Sequence, residues 1–175
     1  MGIVTSIRSE FLRYRDLGDK AIAQLDNAGL TAAAPGGGNS IATICWHMSG
    51  NFRSRFTEFL TSDGEKPWRK RDEEFEPRSV TRAELRQKWD AGWNVLLGAL
   101  DTLTDDDLGR TVTIRGQGLS VQDALLRSLA HASYHVGQIV YAAKAAQGAD
   151  WKYLSIPPGK SEKYNRAATL EKPPR

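Results

Sequence analysis

SVQDALLRSLAHASYHVGQIVYAAKAAQG, residues 120–148, is the longest amphipathic segment of the chain. Its apolar side chains recur at steps of three and four, which is the pattern of a helix with one buried side. Ser120 is a suitable N-cap, and Gly148 is a suitable C-terminal stop. The apolar arc consists of Val121, Leu125, Leu129, Ala132, Val136, Ile139 and Ala143. The segment therefore predicts one long helix packed on a core.

Three earlier segments show the same periodicity. We expect helices over about residues 2–27, 40–61 and 81–103. Four amphipathic helices of roughly 20 residues, without strong strands, predict an all-α fold in the form of a four-helix bundle. The segments that join them are about ten residues or longer, which permits long crossover connections.

Two stretches lie outside this helical pattern. Val112 and Ile114 alternate with polar residues before Gly116, which predicts a short β-hairpin or an irregular crossover before the last helix. We expect residues 1–150 to form one helical bundle. Residues 151–175 are mostly polar and are expected to form a tail packed on its surface.

The charge pattern limits the partners of the protein. The net charge is +3, and in the densest stretch, residues 65–76, acidic and basic side chains alternate, which predicts a solvated loop. Nucleic-acid-binding proteins concentrate their cations on one face, so we expect no nucleic-acid partner. No apolar run approaches the roughly 18 residues of a membrane-spanning helix. The N-terminal residues lack the apolar core of a signal peptide, so we expect a cytoplasmic protein without a membrane partner.

The chain has one cysteine, Cys45, which cannot form a disulfide within the chain. It lies in an apolar helical stretch, where a lone cysteine is usually a small core residue. A catalytic thiol would need a cationic and partly exposed setting, so we expect Cys45 to have a structural role.

The three histidines, His47, His131 and His135, have the most informative placement in the sequence. His131 and His135 are four residues apart, so their rings lie on one helix face, and both can reach one ion at about 2.0–2.1 Å. On a helical wheel the pair borders the apolar arc, where a metal would be open to water. His47 borders the core stripe of the second predicted helix, and packing of that helix on the last one would complete a divalent-metal site.

The same spacing is compatible with ordinary structural roles. Two histidines four apart can be half-exposed polar residues, and a histidine beside a core stripe is often only hydrogen-bonded. Metalloproteases of the H-E-x-x-H type carry a Glu where this chain has Ala132, which argues against peptide hydrolysis by that mechanism. Gln138, Asn51 and Tyr134 are candidates for orienting a ligand or contacting a substrate; each is equally compatible with an ordinary hydrogen-bonded surface residue.

Four segments together resemble a known family. They are ICWHMSGNFRSRF (44–56), KPWRKRDEEFE (66–76), LLRSLAHASYHVGQIVY (125–141) and DWKYLSIPPGKSEKYN (150–165). This combination resembles the DinB/YfiT-like metalloenzyme superfamily, in an uncharacterised bacterial branch. The HxxxHxGQ pattern is the most specific part of the likeness.

The resemblance implies a four-helix bundle, a homodimer, and a divalent metal held by His47, His131 and His135. Zinc or nickel is the expected ion, since imidazole suits both. The resemblance also implies an enzyme acting on a small molecule, either a metal-dependent transferase such as a low-molecular-weight-thiol S-transferase or a metal-dependent hydrolase. The alternative is a non-catalytic metal-binding or stress-response protein. No general base or other catalytic residue is assigned.

Overall fold

Within residues 2–169, the part of the chain that the computed structural model describes, there are six α-helices and one two-stranded antiparallel sheet. The helices are α1 (Ile3–Ile22), α2 (Asn27–Thr31), α3 (Ile41–Phe56), α4 (Arg82–Asp101), α5 (Val121–Gln147) and α6 (Ser161–Asn165), and the strands are β1 (Thr111–Ile114) and β2 (Gln117–Ser120). The predominance of helix and the short hairpin before the last long helix are both confirmed. In this range no helix has the length and apolar character needed to cross a membrane.

The four long helices lie where the sequence predicts them, but two of them end early. The helix α1 ends at Ile22, because Asp26 caps a separate short helix by accepting a hydrogen bond from the backbone nitrogen of Gly29 at 2.8 Å. The helix α3 ends at Phe56, and Glu58 beyond it adopts a left-handed conformation with φ of 50°. The apolar spacing in the sequence continues through both turns, so periodicity alone overestimates the length of these two helices.

The helix α3 is held in the interior by close contacts on both sides. It packs against α4 and α5, while α1 packs against α5. The ring of Trp93 forms edge-on contacts with Phe11 and Phe52, at centroid distances of 6.4 Å and 4.9 Å. At Gly92 a Cβ would lie 2.6 Å from the Cα of Ser49, so only glycine permits the observed approach of α4 to α3. This packing fixes the face of α3 that carries His47.

The β1–β2 hairpin is tied to the loop that follows α3. Its two turn residues, Arg115 and Gly116, have φ values of 54° and 70°, as a tight hairpin turn requires. Both donate backbone hydrogen bonds to the Asp63 carboxylate, at 2.9 Å and 2.8 Å. The backbone nitrogen of Gly64 also donates to the carbonyl of Thr113 at 2.8 Å. The hairpin therefore lies beside the C-terminal half of α3.

The first residues of the expected C-terminal tail contact the turn that follows α1. The side chain of Gln24 accepts a hydrogen bond from the backbone nitrogen of Lys152 at 2.8 Å and donates to its carbonyl at 3.1 Å. Residues 170–175 of the expected tail lie outside the described residues. The division of the chain at residue 150 stays a prediction.

Candidate metal centre

The three histidines lie together between α3 and α5. His47 is on α3, and His131 and His135 are in the middle of α5. One ring nitrogen from each histidine can be chosen so that all three lie within 4.8 Å of one another. His47 and His135 are buried, and His131 is half-buried. The packing of two helices distant in sequence thus brings the predicted ligands to one place.

The shortest distance between the rings fits a shared ion. The Nε2 atoms of His47 and His131 are 3.2 Å apart. Two nitrogens that bind one ion at about 2.0–2.1 Å lie about 2.8–3.4 Å apart when the nitrogen–metal–nitrogen angle is between the octahedral and tetrahedral values. A direct hydrogen bond between the rings has a similar length, so this distance alone does not distinguish the two.

The third ring favours an ion at this position. His135 Nε2 is buried and has no hydrogen-bond partner among residues 2–169. A buried polar atom without a partner is rare in folded proteins and calls for a ligand or an ordered water. The other nitrogen of that ring, Nδ1, donates to Gln138 Oε1 at 2.8 Å, which leaves a lone pair on Nε2. Gln138, predicted to orient a ligand, thus contacts a metal-ligand candidate directly.

The ring of His47 is oriented by a carboxylate that the sequence analysis missed. Its Nδ1 donates to Glu74 Oε2 at 2.9 Å, so its Nε2 carries the free lone pair. Glu74 also receives two hydrogen bonds from Arg69, at 2.8 Å and 2.9 Å. Metal-binding histidines usually donate their second ring nitrogen in this way, to a carboxylate, a carbonyl or a water.

The expectation that residues 65–76 form a solvated loop is therefore wrong for Arg69, Glu74 and Phe75, although residues 70–73 are exposed. Glu74 is buried, and the side chain of Arg69 is only 2% exposed. The ring of Phe75 also packs on His47, at a centroid distance of 4.7 Å. The alternating charges concealed this role, because Glu74 has its partner Arg69 within the same segment. The aromatic residues interleaved with the charges, Trp68 and Phe75, were the available signal.

Gly50 makes room for this carboxylate on α3. A Cβ at position 50 would lie 2.0 Å from Glu74 Oε1 and 2.6 Å from its carboxyl carbon. Position 50 is one helical turn after His47, so a larger residue would separate the carboxylate from the ring that it orients.

The electrostatics keep two of the rings neutral. Burial, and next the nearby positive charge of His135, lower the pKa of His131 to about 3. Burial also lowers the pKa of His135 to about 4, although its bond to Gln138 opposes the shift. Burial would raise the pKa of Glu74, but hydrogen bonds outweigh it and leave the carboxylate ionised. Both rings therefore stay neutral, with a lone pair available to a metal, at pH values well below the ordinary pKa of an imidazole.

The remaining candidates lie at the edge of the site. Tyr134 is exposed, and its ring packs on both α5 histidines, 5.2 Å from the His131 centroid and 4.2 Å from the His135 centroid. Asn51 is half-buried and shares a cleft with His131. Cys45 is fully buried, and burial raises the pKa of its thiol, which agrees with the expected core role.

The cleft beside His131 has a volume of about 410 Å³. One wall comes from α3, one from α5 and one from the β1–β2 hairpin. The residues that line it are Asn51, Arg55, Ile114, Arg115, Gln117, Gly118, Leu119, Arg127, Ser128 and His131. The lining contains three arginines and no carboxylate, so the cleft offers a positive surface next to a histidine ring.

Residues 2–160 match a family described as "Protein of unknown function (DUF1572)". The chain belongs to the DUF1572 family. The DUF1572 match includes α3 and α5, and so covers all three histidines together with Glu74. A search of curated proteins found no match. Membership of DUF1572 leaves the resemblance to the DinB/YfiT-like superfamily as a prediction.

Proposed function

We propose that this protein is a divalent-metal protein with the DinB/YfiT-like four-helix-bundle architecture, and that His47, His131 and His135 are its metal ligands. The four long helices α1, α3, α4 and α5 supply the bundle. The segments between them contain the short helix α2, the charged segment and the hairpin, which is consistent with crossover connections. Zinc or nickel is the ion we expect, since imidazole binds both.

The observation that carries the proposal is the pattern of hydrogen bonds around the rings. Nδ1 of His47 donates to a buried carboxylate, and Nδ1 of His135 donates to an amide oxygen. In a neutral ring each bond places the proton on Nδ1 and leaves the lone pair on the opposite nitrogen. One nitrogen from each of the three rings can be chosen so that all lie within 4.8 Å of one another. A buried histidine with a purely structural role would have partners for both ring nitrogens, whereas His135 Nε2 has none among residues 2–169, as expected of a metal ligand.

A catalytic role is supported by the cleft beside His131. A divalent ion on three neutral imidazoles keeps coordination positions open and lowers the pKa of a bound water or thiol. The cleft, of about 410 Å³, falls within the size range of small-molecule sites. We therefore favour a metal-dependent enzyme, such as a low-molecular-weight-thiol S-transferase.

The arginines of the cleft favour an anionic substrate or thiol cofactor. Arg55 and Arg115 share the carboxylate of Glu65, at 3.2 Å and 3.0 Å. Arg127 forms no ion pair with any residue from 2 to 169, so its guanidinium is available to a carboxylate or phosphate of the bound molecule.

Metal stoichiometry tests the site. The chain purified in buffer with Zn²⁺ is expected to contain one ion per chain by elemental analysis, and His131→Ala and His135→Ala are expected to contain none, because two imidazoles hold an ion far more weakly than three. Gln122→Ala, an exposed change on the same helix, serves as the control. Full occupancy in either histidine variant would exclude the three-histidine site.

A rate assay tests catalysis separately. The metal-loaded protein is mixed with glutathione or another small thiol and an aryl halide, and the thioether product is followed. Acceleration that disappears in His131→Ala supports the transferase. Stoichiometric metal without acceleration would favour the alternative, a non-catalytic metal-binding or stress-response protein.

A further inference from the structure

A second cleft, of about 400 Å³, is lined by Glu74 but by none of the histidines. We call it the Trp46 cleft. Its walls come from α3, from α4 and from the segment between them, and the side chains that define it are Trp46, Arg53, Trp68, Arg78 and Lys88. This cleft is separate from the arginine-lined cleft beside His131, with which it shares no lining residue.

Three cations of the cleft lie over tryptophan rings. The guanidinium carbon of Arg78 is 4.8 Å from the ring centroid of Trp46, and the Lys88 ammonium is 5.5 Å from the same ring. Arg53 lies 5.4 Å from the ring centroid of Trp68. Cation–π contacts hold these charges in fixed positions without neutralising them.

None of these three cations has a carboxylate partner among the described residues. In the described part of the chain, residues 2–169, neither Arg53 nor Lys88 forms an ion pair, and Arg78 donates to backbone carbonyls, among them those of Glu73 and Glu76. The pKa of Lys88 is lowered by burial and by the positive charges of Arg53 and Arg78. Like charges gathered in this way repel one another, and a bound anion would relieve the repulsion.

The acidic residues of the lining do not cancel this charge. Glu74 is paired with Arg69, and Glu73 is paired with Lys70 at 3.1 Å. Glu76 remains as the one acidic side chain of the lining without an ion pair in the described residues. The three cations over the tryptophans therefore exceed the acids that are left to balance them.

We propose that the Trp46 cleft binds a phosphate monoester. A dianionic phosphoryl group matches several cations better than a single carboxylate does, and arginine and lysine are the residues that usually bind it. The cleft is much larger than a phosphate ion, and the ring of Trp68 is 50% exposed at its wall. An organic substituent on the phosphate can therefore pack on that ring. The proposal does not depend on the metal site.

Calorimetric titration tests this inference with two probes, inorganic phosphate and phenyl phosphate, at constant ionic strength set with sodium chloride. We expect both to bind, with phenyl phosphate about two- to tenfold tighter because its ring adds an aromatic contact. Equal affinities would contradict the assignment of the substituent to Trp68. Absence of binding by either probe at about 10 mM would overturn the proposal.

Variants locate the binding. Lys88→Gln and Arg53→Gln are each expected to weaken phenyl phosphate binding about tenfold, because each removes one charged hydrogen bond. Lys144→Gln is the matched control, since the Lys144 ammonium also lies 5.5 Å over a ring, that of Tyr153, but outside the cleft. Circular dichroism melting verifies that the variants are folded. Unchanged affinity in both Lys88→Gln and Arg53→Gln would overturn the proposal.

Discussion

Gly50→Ala tests whether the buried carboxylate controls metal binding at the proposed three-histidine site. The new Cβ would lie 2.0 Å from Glu74 Oε1, whereas ordinary contact begins at 3.4 Å. The carboxylate must therefore move by about 1.4 Å, the difference of these two distances. The bond from His47 Nδ1 to Glu74 is 2.9 Å long, and a displacement of that size takes it out of hydrogen-bonding geometry.

The expected effect is on metal affinity. Loss of the group that orients a ligating histidine typically weakens metal binding by about 10–100-fold, which corresponds to about 1.4–2.7 kcal/mol. Arg69 retains a carboxylate nearby in this variant, so no buried charge is left without a partner. Gly50→Ala should therefore change metal affinity more than it changes folding.

The assay is competition for Zn²⁺ between the protein and a chromophoric chelator. Gly98→Ala is the matched control, because a Cβ at position 98 in α4 meets nothing within 4 Å. Its affinity for the ion should equal that of the wild type. Glu74→Gln removes the charge itself, and Glu73→Gln alters the exposed neighbour. If Gly50→Ala and Glu74→Gln both bind Zn²⁺ as tightly as the wild type, the carboxylate has no part in the site.

Two further predictions concern stability. In the metal-free protein the pKa values of His131 and His135 are about 3 and about 4, below the ordinary 6.5 of an unfolded chain. At pH values between the folded-state and unfolded-state pKa, the unfolded chain takes up protons that the folded chain does not, so the free energy of unfolding should fall from pH 7.5 to pH 5. Urea titrations with a chelator present would measure this change. A free energy of unfolding that does not depend on pH would contradict the burial of these rings. Gly92→Ala should destabilise the fold by about 1–3 kcal/mol, because its Cβ would meet the backbone of Ser49 at 2.6 Å. Urea titration against Gly98→Ala measures this difference, and equal stabilities would show that α3 and α4 separate easily.

The helical part of the fold was readable from the sequence because it depends on periodic burial. The apolar arc of α5 repeats over 27 residues, and the capping box at Thr81 marks the start of α4. The ends of α1 and α3 were harder to predict from the sequence, because they depend on a local cap at Asp26 and a left-handed residue at Glu58. Such features involve single residues and leave little trace in an average over a window.

Only part of the candidate site could be predicted from the sequence. His131 and His135 are one turn apart on a single helix, so their proximity follows from spacing alone. The approach of His47 depends on how two helices pack, and the family resemblance supplied that expectation. Glu74 reaches His47 from 27 positions along the chain, through an irregular segment with no periodic signal. The aromatic residues interleaved with its charges, Trp68 and Phe75, are the one sequence feature that distinguishes this segment from a solvated loop.

The hairpin beside the candidate metal centre is held mainly by hydrogen bonds to its backbone. Asp63 receives the N–H groups of Arg115 and Gly116, and Gly64 bonds to the carbonyl of Thr113. The outward side chains on β2 can therefore be exchanged without moving the hairpin, while the histidines stay on two helices fixed by the core. Substitutions on β2 can then reshape the cleft beside His131 while the histidine cluster on the two helices is preserved, as loops on rigid scaffolds often allow.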